Sequence, residues 1–183
     1  FAPLSEENIL QILERLELET TVSKADLAKA SEGSVSRATK LADAELFEFR
    51  QQLYDQLASG DPGRDDFAKT MTSFVDSAGT EGAVKRNRLN FLADLSVSFY
   101  RNCLLRLANV TEQSAVDETT QRTSAALVNR LANLARPVAL EVCTESIERS
   151  LDLQHQVVAN VSTMNAVDAW LIQLGRIFRL GRP

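Results

Sequence analysis

Apolar residues recur at three- and four-residue spacings along nearly the whole chain, and this spacing predicts amphipathic α-helices. The first such stretch follows Ser5, a residue type that caps helix starts, and two glutamates that suit the positive end of a helix dipole. Ser23 predicts the start of a second short helix, Gly33 its end, and Ser34 the cap of a third. Residues 5–42 are therefore predicted to form three short helices.

A fourth amphipathic helix is predicted over ELFEFRQQLYDQLAS, residues 45–59, and it ends at the break Gly60-Asp61-Pro62-Gly63. Further helices are predicted near residues 65–77, 81–108, 117–135, 137–160 and 164–179, with Pro137 in a first turn. No strand-like alternation competes with these patterns, and no fixed-period repeat is present. The pattern as a whole predicts an all-α fold.

The composition is that of a soluble globular protein, with 44% apolar and 25% charged residues in 183. Only 7 glycines and 4 prolines are present, which agrees with a helical chain. The net charge of −5 lies in residues 1–60, which hold 6 basic and 11 acidic residues, whereas residues 61–183 hold 14 of each. This distribution lacks the basic footprint that would by itself indicate nucleic-acid binding.

Motifs for catalysis or metal binding are missing from the sequence. It has no GxxxxGK[ST] loop, no GxSxG elbow and no HExxH motif. Cys103 and Cys143 lie in apolar helical surroundings without a Cys-x-x-Cys pair, which favours core positions in a reducing compartment. His155, the single histidine, has no carboxylate and serine set around it. We expect no catalytic residue, no metal and no cofactor in this chain.

The densest basic group is Lys85, Arg86 and Arg88, in which residues 85 and 88 share a helical face. One interpretation is contact with phosphate or with an acidic neighbouring subunit. The other, which we favour, is a solvated helix start.

Three separated stretches carry a recognisable residue order. FAPLSEENILQIL, at the start, has an apolar end, Pro-Leu and then a helix, and SEGSVSRATKLAD, residues 31–43, places Gly33-Ser34 at a helix start. ANVSTMNAVDAWLIQL, residues 159–174, has an Ala-Asn-Val step before a Leu-rich helix. In this order the stretches resemble bacterial DNA polymerase III clamp-loader subunits, which are AAA+ proteins, and most closely those of the delta-prime type. Ser162-Thr163 stand where that family commonly has Asn-Pro, and Asn165 where it usually has an apolar residue.

The resemblance implies an architecture and a set of partners. Residues 1–42 would form a three-helix AAA+ lid, and residues 43–183 a helical collar of five to six helices that assembles with other clamp-loader subunits of the delta and gamma/tau-like types. The nucleotide-binding domain and the Ser-Arg-Cys motif would lie upstream. With no charged-then-apolar leader and no apolar stretch of ~20 residues, the chain is expected to be a cytoplasmic piece of a longer protein, without membrane contact and with DNA contact that is indirect or weak.

Within the lid motif of Gly33, Ser34 and Arg37, the arginine does not stand at the position of the family's phosphate sensor. In ATP-hydrolysing subunits the sensor follows Gly-Ser by two residues, a position that Ser36 occupies here. One residue is about 100° of helix rotation, so Arg37 is expected to point away from the nucleotide. Delta-prime-like subunits commonly lack a working sensor, and the resemblance therefore implies a non-catalytic role.

The candidate subunit interface rests on a second set of residues in the collar. Trp170 suits a packed helical assembly, since tryptophan is favoured both in cores and at partner contacts. The whole predicted set is Phe99, Val167, Trp170, Leu171 and Leu174. Two alternatives stay open, namely an ATP-hydrolysing gamma/tau-like subunit in which Arg37 serves as sensor, and an unrelated all-helical interaction or regulatory domain.

Overall fold

The computed structural model describes residues 3–63, 66–110, 116–159 and 161–180. Over these residues the chain forms nine α-helices and no strand, which confirms the predicted all-α fold. The helices are α1 (Glu6–Arg15), α2 (Lys24–Ala30), α3 (Val35–Leu41), α4 (Ala44–Ala58), α5 (Phe67–Asp76), α6 (Gly82–Leu107), α7 (Glu118–Leu131), α8 (Arg136–Val158) and α9 (Thr163–Leu180).

Serine side chains begin the first three helices, as the sequence predicts. Ser5, Ser23 and Ser34 have extended backbones, and each hydroxyl oxygen accepts a hydrogen bond from the amide three residues later. Each cap satisfies one of the amides that a helix start leaves without a partner. The starts of α1, α2 and α3 are thus set by local chemistry.

Helices α1, α2 and α3 pack on one another around a small apolar core. Ile9, Leu13 and Leu27 have no exposed surface in that core. The Thr20 hydroxyl donates a hydrogen bond of 2.7 Å to the carbonyl oxygen of Ala42, and so joins the α1–α2 loop to the end of α3. The three short helices are confirmed, while the division of the chain at residue 43 stays a prediction.

Helix α6, of 26 residues, is the central helix of the remaining bundle. Helix α8 packs along it, α4, α5 and α7 also contact it, and α9 packs on α8 and α5. Phe99 of α6 is fully buried, and its ring centre lies 5.2 Å from those of both Tyr54 and Tyr100. Six helices, α4 to α9, thereby share an aromatic and aliphatic core.

The predicted break after α4 is a turn that lies against α9. A Cβ atom added to Gly63 would be 2.9 Å from the carbonyl oxygen of Leu171, so a larger residue would force the turn away from α9. Helix α7 ends at Leu131, earlier than predicted. Helix α8 starts at Arg136, because Pro137 is tolerated only in the first turn of a helix. Helix α7 therefore has to end before residue 136.

Candidate functional site

Gly33 and the start of the chain lie in direct contact. The Leu4 amide donates a hydrogen bond of 3.1 Å to the carbonyl oxygen of Gly33. Gly33 has a φ of +79°, and an added Cβ atom would lie 2.6 Å from the Cβ atom of Pro3 and 2.7 Å from the carbonyl oxygen of Leu4. Only glycine combines this backbone conformation with so close an approach. Two of the three stretches that carry the resemblance thus form one structural unit.

Arg37 lies in the first turn of α3, where its amide donates to the Ser34 hydroxyl at 3.3 Å. Its guanidinium is 3.0 Å from the carboxylate of Glu32 and 3.0 Å from that of Asp94. It also donates a hydrogen bond of 2.9 Å to the hydroxyl of Ser98. Since Asp94 and Ser98 belong to α6, the side chain of Arg37 joins the first three helices to the bundle.

Glu32 extends the same group of contacts. Its backbone has a φ of +50°, and its carboxylate accepts hydrogen bonds from the Ser98 hydroxyl and, at 3.1 Å, from the side-chain amide of Asn102. We call Glu32, Arg37, Asp94, Ser98 and Asn102 the junction cluster. Beside it lies a cleft of about 230 Å³, whose lining includes Arg101.

The junction cluster carries one positive charge and two negative charges. Burial lowers the pKa of Arg37, but the carboxylates of Glu32 and Asp94 raise it by more, so the net direction is upward. The side chain of Arg37 is only 15% exposed, and its Nε atom is buried without a hydrogen-bond partner. Arg37 is therefore a charged group whose terminal nitrogens are occupied by contacts within the chain.

The predicted basic group is also largely occupied within the chain. The ammonium of Lys85 lies 2.8 Å from the carboxylate of Asp76. The guanidinium of Arg88 lies 3.1 Å from the carboxylate of Asp43 and covers the ring of Phe74, 4.6 Å from its centre. These contacts use the charges of Lys85 and Arg88 to hold α5 and α6 in place.

The residues predicted to form a subunit interface lie in the core. Phe99, Val167, Trp170, Leu171 and Leu174 are each between 0 and 2% exposed. The indole nitrogen of Trp170 donates a hydrogen bond of 3.3 Å to the hydroxyl of Ser150. The chain itself covers these side chains and leaves at most 2% of each exposed, and their role at a subunit interface stays a prediction. The apolar spacing shows that a helix face is buried but not which helix covers it.

The cysteines and the histidine do not form a chemical site. Cys103 and Cys143 are buried, and burial raises the pKa of the Cys103 thiol well above its usual value and that of Cys143 to about 12. Both thiols are therefore protonated, and unreactive, at neutral pH. His155 lies on the exposed side of α8. Within the described residues, no three side chains of the types His, Cys, Asp and Glu form a group that could hold a metal ion.

A buried ion pair that the sequence does not predict joins Arg50 to Asp117. The Arg50 guanidinium, 2% exposed, lies 2.5 Å from the Asp117 carboxylate, donates to the Thr120 hydroxyl at 2.7 Å and covers the Tyr54 ring at 4.7 Å. Burial lowers the pKa of Arg50, but Tyr54 and Asp117 raise it by more. Asp117 also caps α7. Asp117 and Thr120 give a helix-cap signal, but nothing local to Arg50 predicts that it is buried.

No protein-family model, curated protein or solved structure matches the chain. None of the helices in the described part of the chain is both long enough and apolar enough to cross a membrane.

Proposed function

We propose that the chain is the lid and collar of a delta-prime-like clamp-loader subunit, and that its role is structural. In this proposal it assembles with delta and gamma/tau-like subunits into the complex that loads the sliding clamp during DNA replication. It has no catalytic activity of its own. The order of the three sequence stretches supports the family, and the contacts of Arg37 support the non-catalytic role.

The charge balance of the junction cluster is the observation that carries the non-catalytic role. A phosphate-sensing arginine needs a guanidinium that faces the anion without competing negative charge. Here Arg37 lies 3.0 Å from each of two carboxylates, those of Glu32 and Asp94. Phosphate would have to displace both and would be repelled by both. The cluster therefore favours a role in joining helices over a role in binding ATP.

Calorimetric titration of the 183-residue chain with magnesium-ATP tests the non-catalytic role. We expect no saturable heat, and binding in the micromolar range would contradict the proposal. Coexpression of the chain with delta and gamma/tau-like subunits of the same source tests the assignment to the clamp loader. We expect a single complex on gel filtration, and a chain that always elutes apart from those subunits would contradict the assignment.

An Arg37→Ala variant in the assembled complex separates the structural role from the sensor role. If Arg37 only joins helices, ATP turnover by the complex is unchanged once the complex has formed. If Arg37 senses phosphate, turnover falls strongly. Arg15→Ala is the matched control, because it removes an exposed arginine of α1 outside the junction cluster.

A further inference from the structure

Exposed apolar side chains are concentrated on the last two helices and the connection between them. The described residues include nine large apolar side chains that are exposed, and five of them lie between residues 151 and 172. Isolated exposed apolar residues are common, whereas a local concentration marks an interaction surface. The five are Leu151 (41%), Val158 (78%), Val161 (44%), Met164 (51%) and Ile172 (47%).

On α8 the exposed positions follow a coiled-coil spacing. From residue 141 onward they alternate between steps of three and four residues, which places them on one stripe along the helix. The first half of the stripe is acidic, and the second half carries the apolar residues. We call this set the α8 stripe: Glu141, Thr144, Glu148, Leu151, His155 and Val158.

The exposed positions of α9 form a second stripe with complementary character. It begins with apolar and acidic residues and ends with two arginines, in contrast to the α8 stripe, which begins acidic and ends apolar. We call this set the α9 stripe: Met164, Asn165, Asp168, Ile172, Arg176 and Arg179. Because both stripes are exposed, neither is used in the packing of α8 on α9 within the chain.

An antiparallel arrangement brings the two stripes into register. With Leu151 of one copy opposite Ile172 of another, the helical spacings place Glu148 opposite Arg176 and His155 opposite Asp168. In the same register Val158 comes opposite Met164. Apolar residues then meet apolar residues, and Glu148 meets a residue of opposite charge. A parallel arrangement would place the acidic start of α8 against the start of α9, which carries Asp168.

We propose that the α8 stripe of one copy of the chain binds the α9 stripe of a second copy in this antiparallel register. The contact is heterologous, because it joins two different surfaces. One copy keeps its own α9 stripe, and the other its own α8 stripe, for a further copy. One pair of helices buries less than the ~1,200–2,000 Å² of a stable interface, so the association is weak and is observed at high protein concentration. This inference does not depend on the proposed function.

Sedimentation equilibrium of the 183-residue chain over a range of protein and salt concentrations tests the inference. We expect the average mass to rise with protein concentration and to fall with added salt. Glu148→Arg and Arg176→Glu should each weaken the association constant by at least about tenfold, because each places like charges opposite one another. The double variant, in which both charges are reversed, should recover the association.

Two further variants keep the test specific. Val158→Gln removes an apolar contact without changing charge, and since Val158 is 78% exposed the fold should tolerate it, which circular dichroism checks. Glu14→Arg, an equal charge reversal at an exposed position of α1, should leave the association unchanged. If the chain is monomeric at all concentrations, the proposal is overturned, and the two stripes either contact a different protein or stay exposed to solvent. Association that survives both single charge reversals, or that the double variant does not recover, also overturns it.

Discussion

Arg37 and Asp94 are 57 residues apart in sequence and form an ion pair of 3.0 Å. The pair joins α3 to α6, and Arg37 thereby becomes part of the contact between the first three helices and the bundle. Hydrogen bonds from Ser98 and Asn102 of α6 to Glu32 lie beside it. This contact is polar, in contrast to the apolar side chains buried among α1 to α3 and within the bundle.

Arg37→Ala should lower the free energy of unfolding by about 1–3 kcal/mol, because it leaves the carboxylate of Glu32, whose side chain is 11% exposed, beside α6 without its cation. Asp94→Asn should cost less than about 1 kcal/mol, since the Asp94 side chain is 45% exposed and its charge is screened by solvent. Urea unfolding followed by circular dichroism measures both values. An Arg37→Ala variant as stable as the unchanged chain would contradict this role.

Gly33→Ala should be strongly destabilising, by about 3 kcal/mol, because backbone strain and steric overlap act together. The added Cβ atom would lie 2.6 Å from Pro3 and 2.7 Å from the carbonyl oxygen of Leu4. Gly79→Ala is a matched control that introduces backbone strain without steric overlap. Gly79 also has a positive φ, of +144°, but no atom lies within 4 Å of the added Cβ atom. We expect it to cost about 1 kcal/mol. Equal losses in thermal unfolding would show that the contact with Pro3 and Leu4 is unimportant.

Asp117→Asn should cost about 3–5 kcal/mol, because it leaves the charge of Arg50 buried without a counter-ion. Adding Arg50→Met to this variant should recover part of the loss, and a double-mutant cycle measures the coupling. Asp55→Asn serves as a control, since it breaks an exposed ion pair in which Arg122 is 52% and Asp55 46% exposed. It should cost no more than about 1 kcal/mol. Additive losses for the two changes at Arg50 and Asp117 would argue against the buried pair.

The same pair predicts a pH dependence. Burial raises the pKa of Asp117, but Arg50 and the hydrogen bonds from Thr120 lower it by more, so its pKa in the folded chain lies below its usual value. A carboxyl group of this kind stabilises the fold above its unfolded pKa of about 3.9, and that contribution is lost as the pH falls through the folded pKa. Urea unfolding between pH 6 and about pH 3 should therefore show a steeper loss of stability for the unchanged chain than for Asp117→Asn. Identical pH profiles would contradict the prediction.

Features that depend on neighbouring residues could be predicted from the sequence, and those that depend on distant residues could not. Ser5, Ser23 and Ser34 cap helices through amides three residues away, so their roles follow from short motifs. Arg50 pairs with a residue 67 positions later, and no local pattern distinguishes it from an exposed arginine on an amphipathic helix.

The residues of the candidate interface also show what cannot be predicted from the sequence. The spacing of Val167, Leu171 and Leu174 correctly indicates a buried face of α9, but the helices that cover it belong to the same chain. The exposed residues of α8 and α9 could be identified only after the core had been assigned. Helix periodicity separates the apolar face from the polar face, and the structure is needed to tell whether the same chain or a second chain covers the apolar face.

The order in which the chain folds follows from the sequence separations in its two parts. Helices α1 to α3 contact one another within the first 42 residues, so little chain entropy is lost when they come together. The bundle has to bring α4 next to α7 and α6 next to α8, and it closes with α9 at the end of the described chain. We expect the three-helix unit to form first and to be in place when α6 presents Asp94 and Ser98 to Arg37. Formation of the junction cluster would then be a late step, in which two preformed parts of the molecule are locked together.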